Sequence, residues 1–293
     1  MSDVRTNWFT FIDTCAALRP ELFRYCRALT RNPWDAEDLV QDVLAITFAT
    51  TAKLTHELPN PRAWMFRVAT NRWLNEVAHR RRSPPAGVAA AAEEPQATRE
   101  AVGTLLSQLS PQERAAVALK DMFGFTLEET AHALSTSVGA VKAALHRGRE
   151  RLTEPDEGRD ELPTSSVIER FCRAMNARDI DALTALLLED AVVESPGVAF
   201  EIGAETARRG TLTGLVLGCE DSVTGMTPLR AEVRQWRGEA IVICWRNDLV
   251  HEVLRFDVEG ESIRSLRVYL HTPELIAEVC AELGVPPRLC GYH

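Results

Sequence analysis

The chain has 293 residues, 45% of them hydrophobic, and a formal net charge of −9. That length has room for two or three domains with packed cores, while the absence of a long apolar run or a signal peptide argues against membrane insertion and export. Seven cysteines (Cys15, Cys26, Cys172, Cys219, Cys244, Cys280 and Cys290), odd in number and without C-x-x-C spacing, indicate neither a disulfide framework nor a zinc centre, and no metal is expected.

The first informative segment, 32–47 (NPWDAEDLVQDVLAIT), predicts a helix that starts at Asp35, whose side chain caps the amide of Asp38, and that buries Leu39, Val40, Val43 and Ile46. The opposite face carries Glu37, Asp38, Gln41 and Asp42. Phosphate would repel these carboxylates, so the face suits a basic protein partner. Residues 61–83 (PRAWMFRVATNRWLNEVAHRRRS) reverse the sign: Arg62, Arg67, Arg72, Arg80, Arg81 and Arg82 outweigh Glu76. Trp64, Phe66 and Trp73 recur at helical spacing with Val68 and Leu74, which favours core packing over a stacking platform for unpaired bases.

The Pro- and Ala-rich run SPPAGVAAAAEEPQ predicts a tether over 84–98. A new folded unit, 99–153, is marked by Ser110, Pro111 and Glu113, a capping box with proline at the first helical position. Within it, 126–152 (TLEETAHALSTSVGAVKAALHRGRERL) predicts two short helices around a tight turn. Thr126 and Glu129 form a second capping box, and Leu127, Ala131 and Leu134 give one apolar face. Ser135, Thr136 and Ser137 break the pattern; Ser137 caps the next helix, in which Val138, Val141, Leu145 and Leu152 point inward. Its outer face carries Gly139, Lys142, His146 and Arg149, flanked by Arg147 and Arg151. Cations on the outer face of a packed helix are what phosphate contact and major-groove insertion require, so the segment reads as a DNA-binding helix-turn-helix. The acidic net charge does not oppose this, because local field decides phosphate attraction and the basic residues cluster.

Residues 154–165 are polar, acidic and proline-containing, a second linker. Beyond it, 167–177 and 180–188 predict amphipathic helices, the second ended by Glu189 and Asp190; AVVES then turns to β-propensity, and 204–209 reads as a short helix. From Leu229, LRAEVRQW, EAIVICWRND, LVHEVLRFDVEG and SIRSLRVYL read as successive antiparallel strands, with Arg237-Gly238 and Glu259-Gly260 as turns. Helices followed by a meander predict an α+β cone over 166–272. A last helix, with Leu275, Val279 and Leu283 as its apolar stripe, and a short tail fill 273–293. The fold expected is multidomain: two all-α modules, then an α+β cone with a curved antiparallel sheet.

The order DAEDLVQD, WMFRVATNRWLNEVAHRRR, a Pro- and Ala-rich linker, then LSPQERAAVALKDMFGFTLEETAHALSTSVGAVKAALHRGRERL resembles an extracytoplasmic-function sigma factor, a bacterial promoter-recognition subunit of RNA polymerase, over 11–152. The resemblance implies a region 2 at 1–83 and a region 4 at 99–153. It implies that Asp35, Glu37, Asp38, Gln41 and Asp42 dock on the clamp helices of the largest subunit of core RNA polymerase. It assigns Asn60, Arg62, Arg67, Asn71, Arg72, Asn75, Arg80, Arg81 and Arg82 to the −10 element of promoter DNA. Ser137, Gly139, Lys142, His146, Arg147 and Arg149 would read the −35 element. Such a subunit works in the cytoplasm with no catalytic residue and no cofactor, since the polymerase does the chemistry. Asn75 stands where family members commonly carry an acid, and Ala143 and Ala144 where they carry larger polar residues, so promoter preference is not legible.

The cone, through RDIDALTALLLEDAVVE and GESIRSLRVY, resembles the SnoaL-like or nuclear-transport-factor-2-like fold. That implies a pocket, lined by Trp245, Arg246, Asp248, His251, Tyr269 and His271, a small-molecule ligand, and regulation of the DNA-reading half in cis. Two other readings are weaker: a DNA-binding regulator without a role in initiation, which leaves the acidic face at 37–42 unused, and a cone enzyme, for which no acid–base pair stands at fixed spacing.

Overall fold

The computed structural model describes residues 17–51, 58–82, 109–151, 166–217, 220–221, 225–226 and 229–288. Both expected linkers, together with Leu152, Cys15, Cys219, Cys290 and the side chains of Arg81 and Arg151, lie outside the described residues. The chain divides into two compact units, Met1–Gly158 and Arg159–His293.

The first unit is helical: α1 (17–30), α2 (Pro33–Thr51), α3 (Pro61–Arg82), α4 (Pro111–Val117, continued by a π turn Ala118–Met122), α5 (Leu127–Ala133) and α6 (Val138–Arg151). Helix starts follow from side chains that satisfy free amides. Ser110 and Glu113 box the start of α4, with Pro111 at its first turn, and Thr126 and Glu129 box α5. Ser137 Oγ accepts from the Ala140 amide at 3.2 Å, after Ser135 has turned the chain at φ 51°. The start of α2 differs from the sequence expectation. Asn32, not Asp35, is the cap, its Oδ1 accepting from the Trp34 and Asp35 amides at 2.9 and 3.4 Å. Asp35 is left in the first turn, where a carboxylate suits the positive end of the helix.

The core of this unit is aromatic. Tyr25 stacks on Phe66 with centroids 4.6 Å apart, and Phe123 and Phe125 pack on Phe66 at 5.4 and 5.2 Å. Gly148 lets α6 approach α4, since a Cβ there would stand 2.9 Å from a Val117 methyl. Ile46, expected in the buried stripe of α2, is 38% exposed; the stripe runs instead through Ala36, Leu39, Val40, Val43 and Thr47.

The second unit runs α7 (Ser166–Ala177), α8 (Ile180–Ala185), β1 (Leu187–Ser195), β2 (Ala199–Ile202), α9 (Ala204–Arg209), α10 (Thr211–Leu217), a short β3–β4 ribbon (Glu220–Asp221, Gly225–Met226), β5 (Arg230–Trp236), β6 (Glu239–Arg246), β7 (Leu249–Glu259), β8 (Ser262–Tyr269) and α11 (Pro273–Leu283). The large sheet has the order β2-β1-β8-β7-β6-β5. Its meander is antiparallel, but β1 pairs parallel with β8, so the sheet is mixed rather than wholly antiparallel. The helix expected over 180–188 stops at Ala185, and Leu187 opens β1 by pairing with Ile263. A short leucine run suits helix or strand equally, and the long-range pairing decides.

One face of the sheet carries Val193, Val242, Cys244, Leu254, Leu266 and Val268 into a core with Phe171 and Met175 of α7 and Leu212 and Leu215 of α10. Strand alternation sends Ile241, Ile243, Val253 and Tyr269 to the opposite face, and α11 lies against β7 and β5. Two-residue turns at Arg237-Gly238 (φ 52° and 75°) and Asn247-Asp248 (φ 49° and 65°) close the hairpins, the backbone that matches strand twist.

Candidate polymerase-docking and nucleic-acid surfaces

Three of the five candidate docking residues, Asp35, Asp38 and Asp42, line one groove with Arg72, Asn75, His79 and Arg80 of α3. Gln41 is half-buried and donates to Glu37 at 2.7 Å. Glu37 departs from the expectation. It is fully buried and ion-paired with Arg19 at 2.5 Å, because α1 covers that side of α2. Burial pushes its carboxyl upward, while Arg19 and the amide of Gln41 oppose the shift. Glu37 therefore ties α2 to α1 and offers no surface to a partner.

The arginines assigned to DNA are largely engaged within the unit. Arg62 Nε and Nη2 grip the Glu21 carboxylate at 2.9 and 2.5 Å, and Nη2 also donates to the Phe123 carbonyl at 2.8 Å. Its guanidinium lies 4.5 Å over the Phe125 ring. Hydrogen bonding to Arg62 holds the Glu21 carboxyl below its ordinary value. Arg67 meets His132 at 3.3 Å, and Arg114 donates to the Leu29 carbonyl at 2.7 Å while facing the Trp73 ring. These contacts close the helix-turn-helix onto α3. Arg72 pairs with Asp42 at 2.8 Å, and Arg80 with Glu76 at 2.6 Å. Arg82 Nε donates to the Ala78 carbonyl at 3.1 Å. Asn60 caps α3, accepting from the Ala63 amide at 2.9 Å, while Asn75 is exposed and Asn71 half-buried.

On α6, Ser137, Gly139, Lys142 and His146 are exposed, and Lys142, His146 and Arg149 border a groove with Lys120. Arg147 reaches back to Glu113 at 2.8 Å, and Arg149 takes Asp121 in a fork at 2.9 and 2.6 Å. Among the described residues no helix is long and apolar enough to cross a membrane, and no His, Cys, Asp and Glu cluster could hold a metal ion.

The residues expected to line one pocket in the second unit do not all converge. Asp248 is exposed in the β6–β7 turn, Trp245 donates to Glu232 at 2.8 Å beneath Arg230, and Tyr269 faces away from the α7 side of the sheet. His251 and His271 do come together with Glu252: His251 Nδ1 lies 3.3 Å from Glu252, and burial lowers the His271 pKa, with His251 adding to the effect and Glu252 opposing it. Glu252 was missed because alternation alone makes it one more polar strand residue. Its burial comes from a bulge in which Cys244 pairs with Glu252 and Trp245 with Val250, leaving His251 as the extra residue.

Sigma-70 region 2 matches residues 15–83, and Sigma-70 region 4 matches 99–152. An RNA polymerase sigma-E factor of Streptomyces avermitilis is 35% identical over 149 residues, covering 47% of this chain and 80% of that protein. The ECF RNA polymerase sigma factor SigG of Mycobacterium tuberculosis is 28% identical over 223 residues, 61% of this chain; the chain spans 59% of the length of that relative. The crystal structure of the extracytoplasmic function sigma factor SigJ of Mycobacterium tuberculosis aligns over 90% of this chain and 97% of that chain, with 20% identity and a TM-score of 0.36. Two matched regions in the right order, and a relative at this identity covered over most of its length, show that the chain belongs to the extracytoplasmic-function sigma factors of the sigma-70 family.

Proposed function

We propose that the chain directs core RNA polymerase to promoters and starts transcription, in the cytoplasm, with region 2 at 1–83, region 4 at 99–153 and a regulatory cone at 166–272. The observation that carries this is the juxtaposition on α2 and α3 of carboxylates (Asp35, Asp38, Asp42) with arginines, in the unit that also holds a capped helix-turn-helix. The acids meet the basic clamp helices of the polymerase; the cations meet promoter phosphates. Bond making is left to the polymerase, and this chain supplies position only.

The packing of α3 against the helix-turn-helix gives the account a mechanism. Arg62 and Arg67 hold protein groups in this arrangement, so reading the −10 element requires the two modules to part. The polymerase, by binding the two modules separately, would supply the energy that parts them. The cone acts on this balance in cis. A pull-down with core polymerase tests the docking face: Asp38→Arg is expected to abolish capture while leaving the helical content intact. Capture of the variant at wild-type level would refute that assignment.

A further inference from the structure

Arg246, at the end of β6, is 3% exposed, and its Nε and Nη2 atoms are buried with no hydrogen-bond partner among the described residues. Those two donors form the side-on fork of a guanidinium, whose parallel N–H bonds match the two oxygens of a carboxylate. The chain uses that fork repeatedly elsewhere. Arg62 closes it on Glu21, Arg149 on Asp121, and Arg237 on Glu282. Among the described residues, Arg246 is the arginine whose fork is both buried and empty.

Its position says what would enter. Arg246 stands two residues beyond Cys244 on β6, so it shares the face that packs on α7 and α10. Glu252, paired in register with Cys244, shares that face too, is 2% exposed, and keeps its Oε2 unpartnered. A buried cation and a buried acceptor left unsatisfied on one face of neighbouring strands cost stability, so each calls for a partner. We propose that this end of the sheet binds a small organic acid bearing a hydroxyl or amine: its carboxylate closes the Arg246 fork, Glu252 Oε2 accepts from its donor, and its carbon skeleton lies toward Cys244 and Leu254. The site is independent of the sigma reading, and its test needs neither polymerase nor DNA.

The experiment is thermal unfolding of the full chain with sodium lactate, propionate or benzoate against equal ionic strength of chloride, with lactamide, propionamide and benzamide as uncharged counterparts. A carboxylate that fits is expected to raise the midpoint of the second unit by about 4 °C or more at saturation, its amide not at all, with lactate above propionate. Arg246→Met, which removes the stranded charge, is expected to raise the ligand-free midpoint and erase the response. Arg246→Lys, which keeps the charge without the fork, is expected to lose at least about tenfold in carboxylate affinity. Three results would each overturn the proposal: no shift with any of the acids at concentrations that saturate a millimolar site, equal shifts in wild type and Arg246→Met, or a lowered ligand-free midpoint in Arg246→Met, which would mean that the fork has a partner within the chain.

Discussion

Glu37 and Asp38 are neighbours with opposite assignments. Hydrophobic spacing puts both on the polar side of α2; what buries Glu37 is its ion pair with Arg19, contributed by α1. A contact between residues 18 apart in sequence is invisible to periodicity. Glu37→Gln removes the carboxylate that the buried Arg19 pairs with and is expected to cost about 3–5 kcal/mol, read as a lowered denaturation midpoint of the first unit. His271 gives a pH dependence in the second unit. Burial and His251 hold its imidazole below the ordinary value of 6.5, with Glu252 opposing. The unfolded chain thus takes up a proton that the folded unit resists, so stability is full above pH 6.5 and falls as pH drops below it. Urea titrations at pH 7 and one unit lower check this, and His271→Gln is expected to reduce the slope.

The helical elements of the first unit were largely legible because their starts are chemical signatures. The boxes at Ser110–Glu113 and Thr126–Glu129 form as their spacing predicts. Thr126→Ala is expected to cost about 1 kcal/mol and to loosen α5, measurable by faster amide exchange at Glu129, whose N–H the cap accepts at 3.1 Å. Asp35 misled because it satisfies the same rule as Asn32, and only the following Pro33 favours the earlier start. In the second unit the meander from Leu229 was readable from alternation and turn residues. β2, α10 and the first part of β1 were not. They depend on partners far along the chain: β1 is placed by β8, and Glu201 of β2 accepts from the Thr211 amide that opens α10 at 3.0 Å.

At the scale of the first unit, two of the arginines proposed to read DNA, Arg62 and Arg67 of α3, hold groups next to and within the helix-turn-helix, while Ser137, Gly139, Lys142 and His146 stay exposed. The contacts of Arg62 with Glu21, Phe123 and Phe125 join the two modules, so Arg62→Ala is expected to lengthen the distance between α3 and α6, seen as lower energy transfer between dyes on the two helices. No change in transfer would mean that the aromatic core alone holds the modules closed. The family was legible from four short blocks in order, since docking and DNA contact need particular residues at particular places. The pairs of Arg62 with Glu21 and of Arg72 with Asp42 were not, because each joins segments distant in sequence. Run-off transcription by core polymerase on a library of promoter fragments, with the intact chain and with Asp38→Arg, decides whether this chain starts transcription through its acidic face. Specific transcripts are expected from the intact chain and none from the variant. Absence of polymerase-dependent transcripts from the intact chain, and also from a chain truncated after Leu152, would contradict a role in initiation.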